Sequence, residues 1–380
     1  MRIGLDGLPL TSPRTGVGHY TFELARALAL IAPEDQFELV AHQPLTDSAL
    51  HQIEMDCPGN LRAISTRRYR RWWAVGLPLY LKKVSLDLFH GTNYEVPLWN
   101  KRRTVLTIHD LSIWLHPDKH EDDLARRARL RLPIMARSAR VIITGTEYVR
   151  REISQYLGIG ADRVVVTPYA PRRSFQPMSS DDAHETKRRL GIEDDFILFV
   201  GTVEPRKNLL TLVRAFAQIL RNTSHRPQLV LAGAKGWLMA EFNLLVSRLD
   251  LGDRLRLTGY LSDAELRALY SACKVFVYPS IYEGFGLPPL EAMACGAPVI
   301  TSSLPVFHET LGDAACFVEA MDVEALARTM VDLLESEERR HALSSSGQAR
   351  AARFSWEKTA QLTLDVYHQI MTRPELSFHK

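Results

Sequence analysis

Cysteine is scarce in this chain. Its 380 residues hold four, Cys57, Cys273, Cys295 and Cys316, and no two lie close in sequence. That spacing fits neither a disulfide framework, nor a paired-cysteine redox centre, nor a zinc site, so the thiols read as packing residues in a reducing compartment. Long hydrophobic runs are absent too: no apolar stretch reaches the roughly 18 residues of a spanning helix. The segment Met1–Gly7 enters a strand-like run with no charged-then-apolar leader, so export is not expected and the cytoplasm is. There is no Walker phosphate loop, and the N-terminal glycine turn lacks the third glycine of the dinucleotide fingerprint. No persuasive metal-ligand cluster is present, and no nucleic-acid-binding module accompanies the basic residues. Neither a metal nor nucleic acid is therefore expected as a partner.

What remains has the composition of a globular protein, 46% hydrophobic and 24% charged, with length enough for two domains. The net charge is only +3, but the positive charge crowds the first half. Arg67, Arg68, Arg70 and Arg71 interleave with Tyr69, Trp72 and Trp73, and Arg126, Arg127, Arg129, Arg131, Arg137 and Arg140 follow. Arginines attract anionic lipid headgroups and tryptophans favour the membrane interface. The expected acceptor or membrane face is thus Arg67, Arg68, Arg70, Arg71, Trp72 and Trp73; a solvated basic face over two core tryptophans is the alternative.

Strand-like apolar runs alternate with helical periodicity almost throughout, the pattern of parallel sheets covered by helices. Strands are expected at 3–6, 37–41, 86–90, 105–109, 141–144 and 164–167, then at 196–200, 229–232, 255–258, 275–278 and 299–301. Amphipathic helices are expected at 19–31, 209–220 and 325–334. Pro168, Pro171 and Pro177 stiffen a connection between two doubly wound units. Such sheets bind ligands beyond the carboxyl ends of their strands.

Four segments fall at those ends. Thr15-Gly16-Val17-Gly18 opens a helix, where backbone amides meet an anion or simply make a tight turn. His109 and Asp110 end a strand, a place suited to proton handling. Glu204-Pro205-Arg206-Lys207-Asn208 offers Arg as a fork and Lys as a point charge to two phosphates. In Glu283-Gly284-Phe285-Gly286-Leu287-Pro288-Pro289-Leu290-Glu291, one acid is expected on a loop and the other in the first turn of a helix. Glycines between them let a ligand approach the backbone, and the helix start offers amides to phosphate. Carboxylates for sugar hydroxyls beside amides for phosphate suit a nucleotide-sugar.

Taken in order, these motifs resemble those of the retaining glycosyltransferases of family 4, across nearly the whole chain. The resemblance implies an α/β, GT-B architecture: two Rossmann-like doubly wound domains facing across a cleft. Residues 1–172 plus 356–380 would form the acceptor-side domain with a returning helix, and 173–355 the donor domain. It implies a metal-independent hexose transfer without cofactor. The donor would be a nucleotide-sugar, GDP-mannose first and UDP-glucose next. The acceptor would be a saccharide, here expected to be polyprenyl-diphosphate-linked at the inner face of the membrane. By the same resemblance His109, Glu283, Arg206 and Lys207 would be catalytic. Gly16, Gly18, Gly284, Phe285, Gly286, Leu287 and Glu291 would bind the donor, Glu291 at its ribose. A nucleotide-sugar epimerase or phosphorylase on the same scaffold is the alternative.

Overall fold

The strands of this chain are short, and most are buried on both faces. This is why they read as continuous apolar runs rather than as alternating ones. A computed structural model describes residues 1–67, 71–98, 103–193, 195–234, 236 and 240–372. Its contacts divide the chain into two units, one of 1–115, 122–169 and 355–380, the other of 116–121 and 170–354. Arg172 and the segment 116–121 therefore fall in the second unit, for which the sequence carried no signal.

The first unit runs β1 (Arg2–Asp6), α1 (Gly16–Ile31), β2 (Gln36–Ala41), α2 (Asp47–Asp56), β3 (Leu61–Ser65), α3 (Leu77–Lys83) and β4 (Leu88–Gly91). It continues with β5 (Thr104–Thr107), α4 (Ser112–Leu115), α5 (Asp122–Ser138), β6 (Val141–Thr144), α6 (Glu147–Leu157) and β7 (Val164–Val166). All seven strands are parallel, in the order β3-β2-β1-β4-β5-β6-β7.

The second unit has α7 (Ser180–Leu190), β8 (Phe196–Val200), α8 (Leu209–Asn222), β9 (Gln228–Ala232), α9 (Ala240–Leu249), β10 (Leu255–Gly259) and α10 (Asp263–Ala272). Then come β11 (Val275–Tyr278), α11 (Leu287–Ala294), β12 (Val299–Ser302), α12 (Pro305–Leu311), β13 (Cys316–Val318), α13 (Val323–Glu335) and α14 (Glu337–Ala351). Its six parallel strands are ordered β10-β9-β8-β11-β12-β13. The final helix α15 (Trp356–Thr372) returns to the first unit and packs on α1. Ser355 caps it, accepting from the Lys358 amide at 3.2 Å.

Two strands were not foreseen, and both are edges. In β3, Arg62 and Ser65 are exposed and break the apolar run, as suits a strand with one neighbour. β13 has three residues, too few for a pattern. Each sheet reverses its winding once, between β1 and β4 in the first and between β8 and β11 in the second. The loops leaving those strands are where ligand sites form in doubly wound sheets.

Candidate active site

In the second unit the reversal point places the loop after β8 beside the loop after β11. Residues 76 apart in sequence therefore meet. Lys207 Nζ lies 2.5 Å from Glu283 Oε1 and donates to the Tyr278 hydroxyl at 2.6 Å. That hydroxyl donates to the same carboxylate oxygen at 3.1 Å. Arg206 Nη1 is also 3.1 Å from Glu283 Oε1 and donates to the Tyr282 carbonyl at 3.1 Å, while Nη2 reaches Glu204 Oε1 at 2.7 Å. All of these side chains are buried or nearly so. Burial by itself would raise the Glu283 pKa, but Lys207 and Arg206 overcome it and hold the carboxyl at about 2. Burial, with Arg206 beside it, pulls the Lys207 pKa down. Two cations and two carboxylates thus balance each other in a dry site. An entering anion would compete with the carboxylates for the cations.

Asn208 holds the loop in place. It sits in the left-handed region at φ 56° and donates to the carbonyls of Pro279 and Ala320 at 3.0 and 2.5 Å. Its own side-chain oxygen accepts from Thr211 at 2.8 Å. Gly233 must be glycine, because a Cβ there would lie 2.0 Å from the Gly201 carbonyl oxygen.

The segment 284–291 differs from expectation in two ways. Gly286, at φ 90°, starts α11, and Leu287, Pro288 and Pro289 form the first turn. Prolines carry no N–H, so of these three only Leu287 has an amide to offer an anion, fewer than a usual helix start. Glu291 lies in the second turn, not the first, where the helix dipole has faded. What fixes Glu291 is Arg172, which donates Nε to Oε1 at 2.8 Å and Nη2 to Oε2 at 2.9 Å. The same guanidinium pairs with Asp263 at 2.6 Å and lies 4.0 Å above the Phe175 ring. Arg172 stands in the proline-rich connection, which gave no hint of this role. The Phe285 ring is buried edge-on against Phe354.

In the first unit, Gly16 begins α1, whose N-cap Thr15 makes no side-chain cap bond, and nothing lies within 4 Å of a Cβ built on Gly16. Gly18 is confined, with a Cβ position 2.9 Å from the Pro9 carbonyl oxygen. His109 lies two residues beyond β5. Its Nε2 is 2.8 Å from the Thr92 carbonyl and must donate, so Nδ1 accepts from the Tyr169 hydroxyl at 2.9 Å. Burial lowers its pKa to about 4. With both nitrogens engaged, the ring is a fixed neutral donor rather than an open base. Asp110 caps α4, accepting from the Ser112 amide at 2.8 Å. Thr146 caps α6, accepting from the Val149 amide at 3.2 Å, and Glu147 pairs with Arg150 at 3.0 Å. Among the described residues no group of acids, histidines and cysteines could hold a metal.

The expected membrane face is corrected here. Trp72 and Trp73 are only 4% and 8% exposed and belong to the core under β4, β5 and β6. Side chains of that size release most free energy when buried, and burial removes them from any interface. Arg67 and Arg71 are exposed; Arg68 and Arg70 lie outside the described residues.

Comparison with known proteins agrees with this geometry. Residues 14–170 match the model of Glycosyltransferase Family 4, and residues 182–350 match that of Glycosyl transferases group 1. The chain is 32% identical to the O-antigen chain mannosyltransferase B of Escherichia coli, over 97% of this chain and 99% of that one. Sucrose-phosphate synthase of Thermosynechococcus elongatus has the same fold, with TM-score 0.78 and 23% identity over 98% of this chain and 99% of that one. So does Anabaena HepE, solved with UDP and glucose, with TM-score 0.74 and 20% identity over 97% and 99%. Two parallel Rossmann-like sheets, a cation pair at the second sheet's reversal point and a relative matched from end to end lead to one conclusion: the chain belongs to the family-4 glycosyltransferases and is a glycosyltransferase of the GT-B fold.

Proposed function

We propose that this enzyme transfers mannose from GDP-mannose, with retention of anomeric configuration and without a metal, to a hydroxyl of a polyprenyl-diphosphate-linked saccharide. The reaction would serve surface-polysaccharide assembly at the inner face of the membrane. The observation that carries this reading is the buried cluster of Arg206, Lys207 and Glu283 in a chain so similar to an O-antigen mannosyltransferase.

The barrier to such a transfer is the negative charge that grows on the leaving diphosphate. Arg206 and Lys207, drawn away from Glu204 and Glu283, would take that charge in a dry site, where each donor is worth several kcal/mol. Glu283, released from the cations, would face hydroxyls of the sugar. Glu291 would bind the ribose once Arg172 yields one of its oxygens. The anomeric carbon–oxygen bond to phosphate breaks while the acceptor oxygen bonds to the same face of that carbon. The acceptor proton passes to the departing phosphate oxygen. His109, with both ring nitrogens engaged by Thr92 and Tyr169, takes no proton.

The test measures transfer from GDP-mannose and UDP-glucose to lipid-linked acceptors, with the product anomer read by NMR. Lys207→Ala and Glu283→Ala are each expected to cut turnover about 100-fold or more. Transfer near the wild-type rate in both variants, or an inverted product, would sink the reading.

A further inference from the structure

The winding of the first sheet decides where its helices lie. From β3 onward the chain crosses β1 and moves one way across the sheet, through β4, β5, β6 and β7. Right-handed crossovers then put α3, α5 and α6 on one side of it. The core agrees: Trp73 and Leu77 before and in α3, Leu132 and Met135 in α5, and Val149 and Ile153 in α6 share one buried cluster. These helices form a single outer layer.

The solvent side of that layer is unusual. Leu130 is 69% exposed and Ile134 53%, one helical turn apart on α5. Val75 just before α3, Leu79 in its first turn, and Tyr156 on α6 are each 42% exposed. Arg126, Arg127 and Arg137 fall within about 60° of Leu130 on the α5 wheel, so they flank the aliphatic pair. Arg71, Lys82 and Lys83 flank Val75 and Leu79, and all three are exposed. From Arg71 through α3, and along α5 and α6, ten lysines and arginines stand against four acids, of which Glu152 is buried. Asp123 pairs with Arg126 at 2.5 Å and Glu95 with Arg131 at 3.0 Å. Such exposed pairs are weak and leave the layer strongly positive.

We propose that the outer face of α3, α5 and α6 is the surface by which this enzyme docks on an anionic lipid bilayer, with Leu130 and Ile134 entering the headgroup boundary and the arginines binding lipid phosphates. Aliphatic side chains exposed amid cations are what an interfacial helix presents. A soluble anion would use the cations alone and leave Leu130 and Ile134 in water. This inference rests on the lipid-linked reading above but relocates the contact from Trp72 and Trp73 to α5.

Co-sedimentation of the full chain with vesicles tests it. Wild type is expected to bind phosphatidylglycerol–phosphatidylcholine vesicles, and to release them as salt rises. It is expected to bind phosphatidylcholine vesicles poorly. Arg126→Gln/Arg127→Gln/Arg137→Gln should weaken binding on the order of 100-fold, from about fivefold per arginine. Leu130→Gln/Ile134→Gln should weaken it at least tenfold, since both side chains would leave the interface. These positions are exposed, so thermal melting should be unchanged. Wild-type binding by both variants, or equal binding of wild type to neutral and anionic vesicles, overturns the proposal. Mannose transfer from GDP-mannose to a detergent-solubilised lipid-linked saccharide, measured on the same proteins without vesicles, separates the two claims. Its absence in wild type, with vesicle binding intact and lost in the variants, sinks the reaction and leaves the surface standing.

Discussion

Arg172→Met offers the sharpest check on how the second unit is held together. The substitution removes a two-pronged bond to Glu291, at 2.8 and 2.9 Å, from a pair whose side chains are 9% and 5% exposed. Methionine keeps the volume and loses the charge, so Glu291 is left as a buried carboxylate with no counterion. Breaking a buried pair in this way costs about 3–5 kcal/mol. Asp263 is 40% exposed, and its bond to Arg172 adds up to about 1 kcal/mol. The contact with the Phe175 ring adds about 1 kcal/mol more. A domain of this size loses roughly 2–4 °C per kcal/mol, so melting should fall by roughly 8–28 °C. Arg172→Met/Glu291→Leu removes both charges together and should recover most of the loss, because two apolar side chains can fill the space at little cost. The assay is a double-mutant cycle by thermal and urea unfolding, with an expected coupling of about 3 kcal/mol. Additive losses would refute the reasoning, since they would mean that Glu291 never depended on Arg172. The double variant should remain folded yet transfer poorly.

The first unit should be most stable near pH 6.5. Burial lowers the pKa of His109 to about 4 and of His90 to about 3, and raises that of Asp6 to about 8. Between roughly pH 4 and 6.5 the unfolded chain would carry protons on both histidines and the folded one only on Asp6, so stability rises with pH by about 1.4 kcal/mol per unit. Above 6.5 only the Asp6 proton counts, and stability falls toward pH 8. Melting curves across pH 4–8 check the sign, and Asp6→Asn should steepen the acid limb and flatten the other. Gly286→Ala should cost more than 1–3 kcal/mol, since φ is 90° and the new methyl would sit 2.6 Å from the Phe307 ring; a melting temperature like that of wild type would contradict this. Gly233→Ala, which drives a methyl against the Gly201 carbonyl oxygen, should yield little folded protein, as measured by soluble expression.

Most strands of this chain, and the helices α1, α8 and α13, were legible in its sequence because their cause is local. A parallel strand buried on both faces must be apolar along its length, and Val275–Tyr278 and Phe196–Val200 could be little else. The strand-end loops were legible for the same reason, since glycine and proline mark where a chain turns. Edge strands β3 and β13 escaped notice, β3 because a strand with one neighbour need not be apolar throughout and β13 because three residues make no pattern. Trp72 and Trp73 misled, because an aromatic beside arginines reads alike whether it turns inward or outward.

The order of elements and the residue types at the strand ends were therefore set by the sequence alone. The tertiary structure decided which of them meet. The reversal of winding between β8 and β11 brings Lys207 to Glu283, and the connection's return beside α11 gives Glu291 to Arg172. Periodicity records only whether a side chain is buried. Its partner across many residues is fixed by sheet order and burial, where an unpaired charge costs too much to remain.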